Sequence, residues 1–455
     1  MPNPHPLPNL RPNSRSKKWA GPIAVTLLTL TFLGWDLPVE LHFVDESAYL
    51  SQSYFADLWL TGRWNDSAWL TYAGYDLPPL PKYTIGIALR LGGYRRPGPS
   101  AMVAWYRDTS SRFVSDEVLV MARRPSVAFG TLGCLSIYAI GTMAVGRRVG
   151  LLSAYLLMLN PLYCLHARRA MSDVPAESLI LANLAVGLWA WKRLLAHEGT
   201  LRPLLGLIFG SGILGGLATL SKLNGSLSGF VLVGWALLAI FLPGFRWRAK
   251  WSFLSATCLS GVVSFATFAA LNPFLFAHPQ GIIDSRLAPI ASMGFLDRVK
   301  VVADHRVSVS NLAQSSFPAD ALSTPLEKLS TVLVQGFGRF GHFGTRGWTD
   351  STIRFDWEQD RGALIWLPWV VTGFWFALAR GRAQLLAGQP PTAWAVVVQA
   401  GISLVIVTAF IPLAWDRYFL SIQPSMALAG AIAVVLGFDR VRPWLGRRFA
   451  TETPP

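Results

Sequence analysis

Residues 166–191 read HARRAMSDVPAESLILANLAVGLWAW: basic side chains crowded beside an acid, then a long apolar run. The run over 174–191 approaches the roughly 20 apolar residues that a helix needs to cross a bilayer. Nine further stretches qualify by the same measure, at 20–36, 124–146, 149–165, 203–220, 226–243, 252–271, 362–379, 392–413 and 418–438. Composition agrees, because 52% of the 455 residues are hydrophobic and only 14% are charged, against about 25% charge in a soluble domain. Nineteen tryptophans and forty glycines suit membrane helices with aromatic belts. The sequence therefore predicts an all-α polytopic membrane protein with about ten transmembrane helices.

The net charge of +15 does not point to nucleic acid, because the basic residues lie between apolar runs and not on one polar face. It reports orientation. With the N-terminus inside, the inner segments hold eighteen basic residues against Glu198, Asp439 and Glu452, and the outside keeps 22 bases and 22 acids. Both termini are then cytoplasmic. Residues 1–18, rich in Pro, Asn and Arg, read as a disordered tail, 19–438 as the membrane domain and 439–455 as a second cytoplasmic tail. No small-residue cleavage site follows the first apolar run, which is expected to stay as a signal anchor. Cys134, Cys164 and Cys258 stand far apart inside apolar runs, so neither a disulfide framework nor a zinc site is indicated.

Two outer loops are long, at 37–122 and 272–361, and no internal repeat is visible. Once the topology is drawn, the unusual polar residues fall on the outer side. They are Asp45-Glu46, Leu77-Pro78-Pro79-Leu80 with Lys82, His166 with Arg168, Arg169 and Asp173, Lys222-Leu223-Asn224-Gly225, Asn272-Pro273 with His278, and Asp416-Arg417-Tyr418. Charges are costly at membrane depth, and a shared outward pocket at the membrane surface would account for them. Each has a simpler alternative. Asp45 can cap a helix-like run over Glu46 to Leu60 and Glu46 can complement its dipole. Lys82 can anchor a turn, Arg168 and Arg169 can be interface anchors or bind phosphate, and Asp173 can be an N-cap. His166 reads as an interface histidine, Lys222 as a helix C-terminal cation and Asp416-Arg417 as a local ion pair. Asp356, Glu358 and Asp360 alternate before the eighth apolar stretch, either as a cation site or as acids at a helix N-terminus.

The order of these motifs resembles that of GT-C membrane glycosyltransferases, in particular the protein O-mannosyltransferases and the bacterial aminoarabinose–lipid A transferases. The resemblance covers residues 20–437 and rests on the acidic pair, Pro-Pro-Leu with its Lys, Arg-x-x-x-x-Asp, Lys-x-x-Gly and Arg-Tyr. It implies the GT-C fold and transfer of a sugar from a polyprenyl-phosphate carrier to a lipid, glycan or protein acceptor on the outer face. It implies that Asp45 is the catalytic acid of the pair and that Glu46 supports acceptor binding. A carboxylate at Asp45 can take the acceptor's proton. Lys82, Arg168, Arg169, Lys222 and Arg417 can hold the departing phosphate, with Asp173, His166 and Tyr418 as further site candidates. A single acid pair favours inversion by one displacement. The chain departs from the O-mannosyltransferases in two places. Its second outer loop is too short for their β-trefoil domain, and no His precedes Pro-Pro-Leu.

Neither an Asp-x-Asp motif nor a Gly-rich phosphate loop occurs, so a nucleotide-sugar donor is not expected. A divalent cation stays open as a cofactor. A transporter or flippase for a lipid-linked anion would use the same bases, but repeats and charges deep within the spans would be expected of it. The compact loops point to a bacterial inner membrane.

Overall fold

The computed structural model describes residues 14–97, 114–196, 201–280, 284–318, 320–335 and 361–450, without the side chains of 14–18, 334–335, 361–364, 416 and 443–450. Asp356, Glu358, Asp360 and the side chain of Asp416 lie outside the described residues. The chain is helical throughout these residues, and its one pairing of extended chain is an isolated bridge between Ala321 and Leu413.

Helix α1 (Ser14–Gly34) leads into the first of the two segments expected on the outer side, the first outer segment, with α2 (Val44–Ser51), α3 (Phe55–Leu60) and α4 (Pro79–Leu91). The bundle continues with α5 (Asp116–Ala144), α6 (Arg147–Met158), α7 (Pro161–Ala167), α8 (Asp173–Leu195), α9 (Leu201–Ser221), α10 (Leu223–Phe241) and α11 (Trp247–Ala270). The second outer segment carries α12 (Phe295–Ser316) and α13 (Pro325–Gln335). Three helices complete the chain, α14 (Arg361–Leu386), α15 (Thr392–Phe410) and α16 (Gln423–Ala450), the last entered through a 3₁₀ turn at Asp416–Ile422.

Among the described residues seven helices are long and apolar enough to cross a membrane, or eight if the bent pair α6–α7 is one span. That pair occupies the apolar stretch expected to span at 149–165. It bends by 67° because Pro161 cannot donate into the preceding turn, while the Asn160 side chain accepts the Tyr163 N–H at 2.9 Å and restarts the helix. The interfacial run expected from Glu46 to Leu60 is likewise broken, into α2 and α3.

Helix α8 is the axis of the core, buried along almost its whole length. Apolar packing gives little preference for one partner over another in lipid, so polar ties matter there. Asn183 of α8 donates to Ser228 Oγ of α10 at 2.8 Å and accepts from Ser211 of α9. The Trp191 indole donates to Trp235 O at 3.2 Å, and the Trp235 indole to Ala395 O at 2.7 Å, binding α8, α10 and α15 in sequence.

Candidate active site

Four helix ends meet beside the first outer segment. Asp45 lies in the first turn of α2, and Asp173 is the first residue of α8. Lys222 caps the C-terminus of α9, and the chain then turns so tightly that a Cβ on Gly225 would clash with the Ala218 carbonyl. Arg417 and Tyr418 lie in the turn that enters α16.

The four charges pair across these ends. Arg417 Nη1 donates to Asp45 Oδ2, and Lys222 Nζ donates to Asp173 Oδ1 at 2.6 Å. The Tyr418 ring lies 5.9 Å from the Lys222 ammonium and 5.6 Å from the Arg417 guanidinium, so one aromatic ring serves both cations. The charge of Arg417 also reaches Asp173. Asp173 is buried, at 3% side-chain exposure, whereas Asp45 (35%), Lys222 (27%) and Arg417 (22%) stay open. The set offers an open carboxylate that can accept a proton and two open cations that can neutralise an anion.

Glu46 has another place than the acceptor-binding one implied by the resemblance. It is fully buried, and four N–H groups use its two oxygens: Arg123 Nε and Nη2 at 2.8 Å each, Phe43 N at 3.0 Å and Ala170 N at 2.8 Å. A carboxylate has about four acceptor positions, so these donors saturate it. Arg123 spends its remaining donors on the carbonyls of Leu37, Glu40 and Leu41. The pair therefore locks the segment after α1 to α5 and to the turn before α8. Asp45 is not the cap of α2 either: Phe43 holds that position, and Glu46 reaches back to its N–H.

Arg168 and Arg169 flank Glu40, at 3.6 and 3.7 Å. Arg168 also donates to Trp35 O at 2.6 Å and Asp36 O at 2.8 Å, closing the end of α1, and Arg169 stacks on Phe43 at 4.3 Å. His166 is buried within electrostatic reach of Asp173.

Lys82 joins a second cluster. Its buried ammonium donates to Ala73 O at 2.5 Å and lies 5.0 Å from the Phe55 ring. Burial pushes its pKa down to about 7, against the pull of Asp76. Asp76 pairs in turn with His305 of α12 at 3.1 Å, and the rings of Tyr72 and Tyr75 meet His305 edge-on.

Sequence reading missed Arg123, Glu40, the Asp76–His305 pair and Glu177. Glu177 lies one turn into α8 beyond Asp173, buried, with a hydrogen bond to the Ser421 hydroxyl. Two of these had a signal: Glu177 is an acid inside the apolar run 174–191, and Arg123 is a basic residue at the edge of another. Among the described residues no three His, Cys, Asp or Glu side chains gather as a metal site requires. A cavity of about 800 Å³ opens between α1 and the α6–α7 bend, lined by Phe32, Trp35, Tyr155, Cys164 and Arg168 among others.

No family model matches the chain, and no curated protein matches it. Solved structures do. The oligosaccharyltransferase of Archaeoglobus fulgidus, tethered to an acceptor peptide, aligns at 17% identity and a TM-score of 0.53, over 95% of this chain and 51% of its own. The same archaeal enzyme with an inhibitory peptide and a dolichol-phosphate gives 16% and 0.52, over 96% and 53%. ArnT from Cupriavidus metallidurans, bound to undecaprenyl phosphate, gives 15% and 0.51, over 97% and 63%. The chain thus spans about half the length of the first and under two thirds of the other. Identities this low show the fold alone, and it is the GT-C fold that these solved structures share.

Proposed function

We propose that the protein is a membrane glycosyltransferase that moves a sugar from a polyprenyl-phosphate carrier to an acceptor on the outer face of a bacterial inner membrane. The observation that carries the reading is the Asp45–Arg417 and Asp173–Lys222 set at converging helix ends. The fold shared with an enzyme crystallised on undecaprenyl phosphate supports it. Asp45 takes the proton of the acceptor hydroxyl as its oxygen attacks the anomeric carbon. The bond from that carbon to the phosphate oxygen breaks, the electron pair stays on the phosphate, and the configuration inverts. Lys222 and Arg417 neutralise the leaving phosphate, each charge-assisted contact contributing roughly 1.5–3 kcal/mol. Asp173 holds Lys222, and Tyr418 supports both cations. Glu46, Arg168 and Arg169 keep the frame around Asp45, and the apolar cavity bordering Arg168 offers room for a lipid chain.

Purified protein in lipid should transfer label from a polyprenyl-phosphate sugar. Lys222→Ala or Arg417→Ala should weaken donor use about tenfold or more. Transfer from a nucleotide sugar alone would overturn the assignment, and transport of the donor without transfer would favour a flippase.

A further inference from the structure

Between α12 and α13 the second outer segment is stitched to the chain that follows α15. Leu322 N donates to Pro412 O at 3.0 Å, Ala414 N donates to Asp320 O at 2.9 Å, and Gln314 of α12 adds a bond to Pro412 O at 3.1 Å. Within the stitch a carboxylate is buried: Asp320 is 3% exposed, and its Oδ2 accepts the Trp415 indole N–H at 3.0 Å. Trp415 is also held by Phe317, edge-on with centroids 5.0 Å apart, and by the near-parallel Tyr418 ring at 6.4 Å. A ring fixed from several sides presents a fixed face. On that face, 4.8 Å away, lies the guanidinium of Arg417, which reaches on to Asp45.

We infer that Asp320 is a positioning residue for Arg417. It aims Trp415, Trp415 carries the guanidinium, and the guanidinium meets Asp45. The consequence for turnover rests on the glycosyltransferase reading; the positioning itself does not. The second outer segment thereby sets the geometry of the site without touching the reacting atoms.

Peptide-resolved modification of arginines by phenylglyoxal tests the positioning in the full chain in lipid, with no donor present. Asp320→Ala removes the acceptor, and Trp415→Phe keeps a ring but removes the N–H. Both should speed modification of Arg417 roughly five- to tenfold, the scale of one buried hydrogen bond, and leave Arg168 unchanged. Asp320→Asn keeps an acceptor oxygen and should restore the original rate. Unchanged reactivity of Arg417 in both disrupting variants overturns the inference, whatever the protein transfers. In the transfer assay the loss caused by Asp320→Ala should vanish in an Arg417→Ala background. An equal further loss there would mark a merely structural role and overturn it too. Absence of transfer by the unaltered protein would count against the proposed function alone.

Discussion

Asp45 and Lys82 show how differently two charges that look alike in the sequence can be used. Asp45 stays open and meets one cation. Asp45→Asn keeps the size and an oxygen for Arg417 but cannot take a proton, so turnover should fall by about 10²–10⁴. Stability should change by under ~1 kcal/mol, as expected for a partly exposed pair. Near-normal turnover with a polyprenyl-phosphate sugar would return Asp45 to a structural role. Lys82, by contrast, is buried, and its pKa is lowered to about 7. The unfolded chain therefore holds more protons than the folded one between about pH 7 and pH 10. Stability rises with pH across that window, by up to ~1.4 kcal/mol per unit, and the full cost of the buried charge is felt below it. Lys82→Met should gain on the unaltered protein as pH drops from 9 to 7, with a constant difference below 6. Thermal unfolding in detergent across pH 5–9 measures this, and a difference independent of pH would show that Lys82 keeps its charge throughout. The sequence marked both residues; it could not mark their burial, which depends on what packs over them.

At the scale of elements, apolar length located the helices because a bilayer imposes that length on each of them. The bend at Asn160-Pro161 was also legible in principle, as a cap residue followed by a helix-breaking ring. Partnerships were not. Glu46 and Arg123 stand 77 positions apart, and nothing local in either segment names the other. Their pair joins α2 to α5 and, through Ala170, to the approach to α8. Glu46→Gln would leave Arg123 charged and buried without its counter-ion, at a cost of about 3–5 kcal/mol. Asp45 would lose its footing with it. The variant should therefore unfold at clearly lower temperature or denaturant concentration than Asp45→Asn does. Equal stability of the two would mean that the buried pair does not hold these elements together.

For the whole molecule, the packing shows which elements share a side. The two outer segments touch: the Asn65 side chain accepts the His278 N–H at 3.0 Å, and Asp76 pairs with His305. They therefore lie on one side, the side of Asp45 and Asp173. At the other end, the last turn of α14 meets the end of α5, where Gln384 donates to Ala144 O at 3.0 Å just before Arg147 and Arg148 in the chain. Between these ends α5 runs from Arg123 to Ala144, its last residue. At 1.5 Å per residue they are roughly 32 Å apart, close to the thickness of a hydrocarbon core. Ser67 and Ala387 are exposed at opposite ends of this frame. With Cys134, Cys164 and Cys258 replaced, Ser67→Cys should react with an impermeant maleimide added to intact cells. Ala387→Cys should react only after the membrane is opened. The expectation follows from the eighteen bases assigned inside, since cytoplasmic retention of Lys and Arg sets the orientation. Labelling of Ala387 and not Ser67 would turn the protein over. The site would then face the cytoplasm, where nucleotide sugars are at hand, and the physical case for a lipid-linked donor would be lost along with the topology.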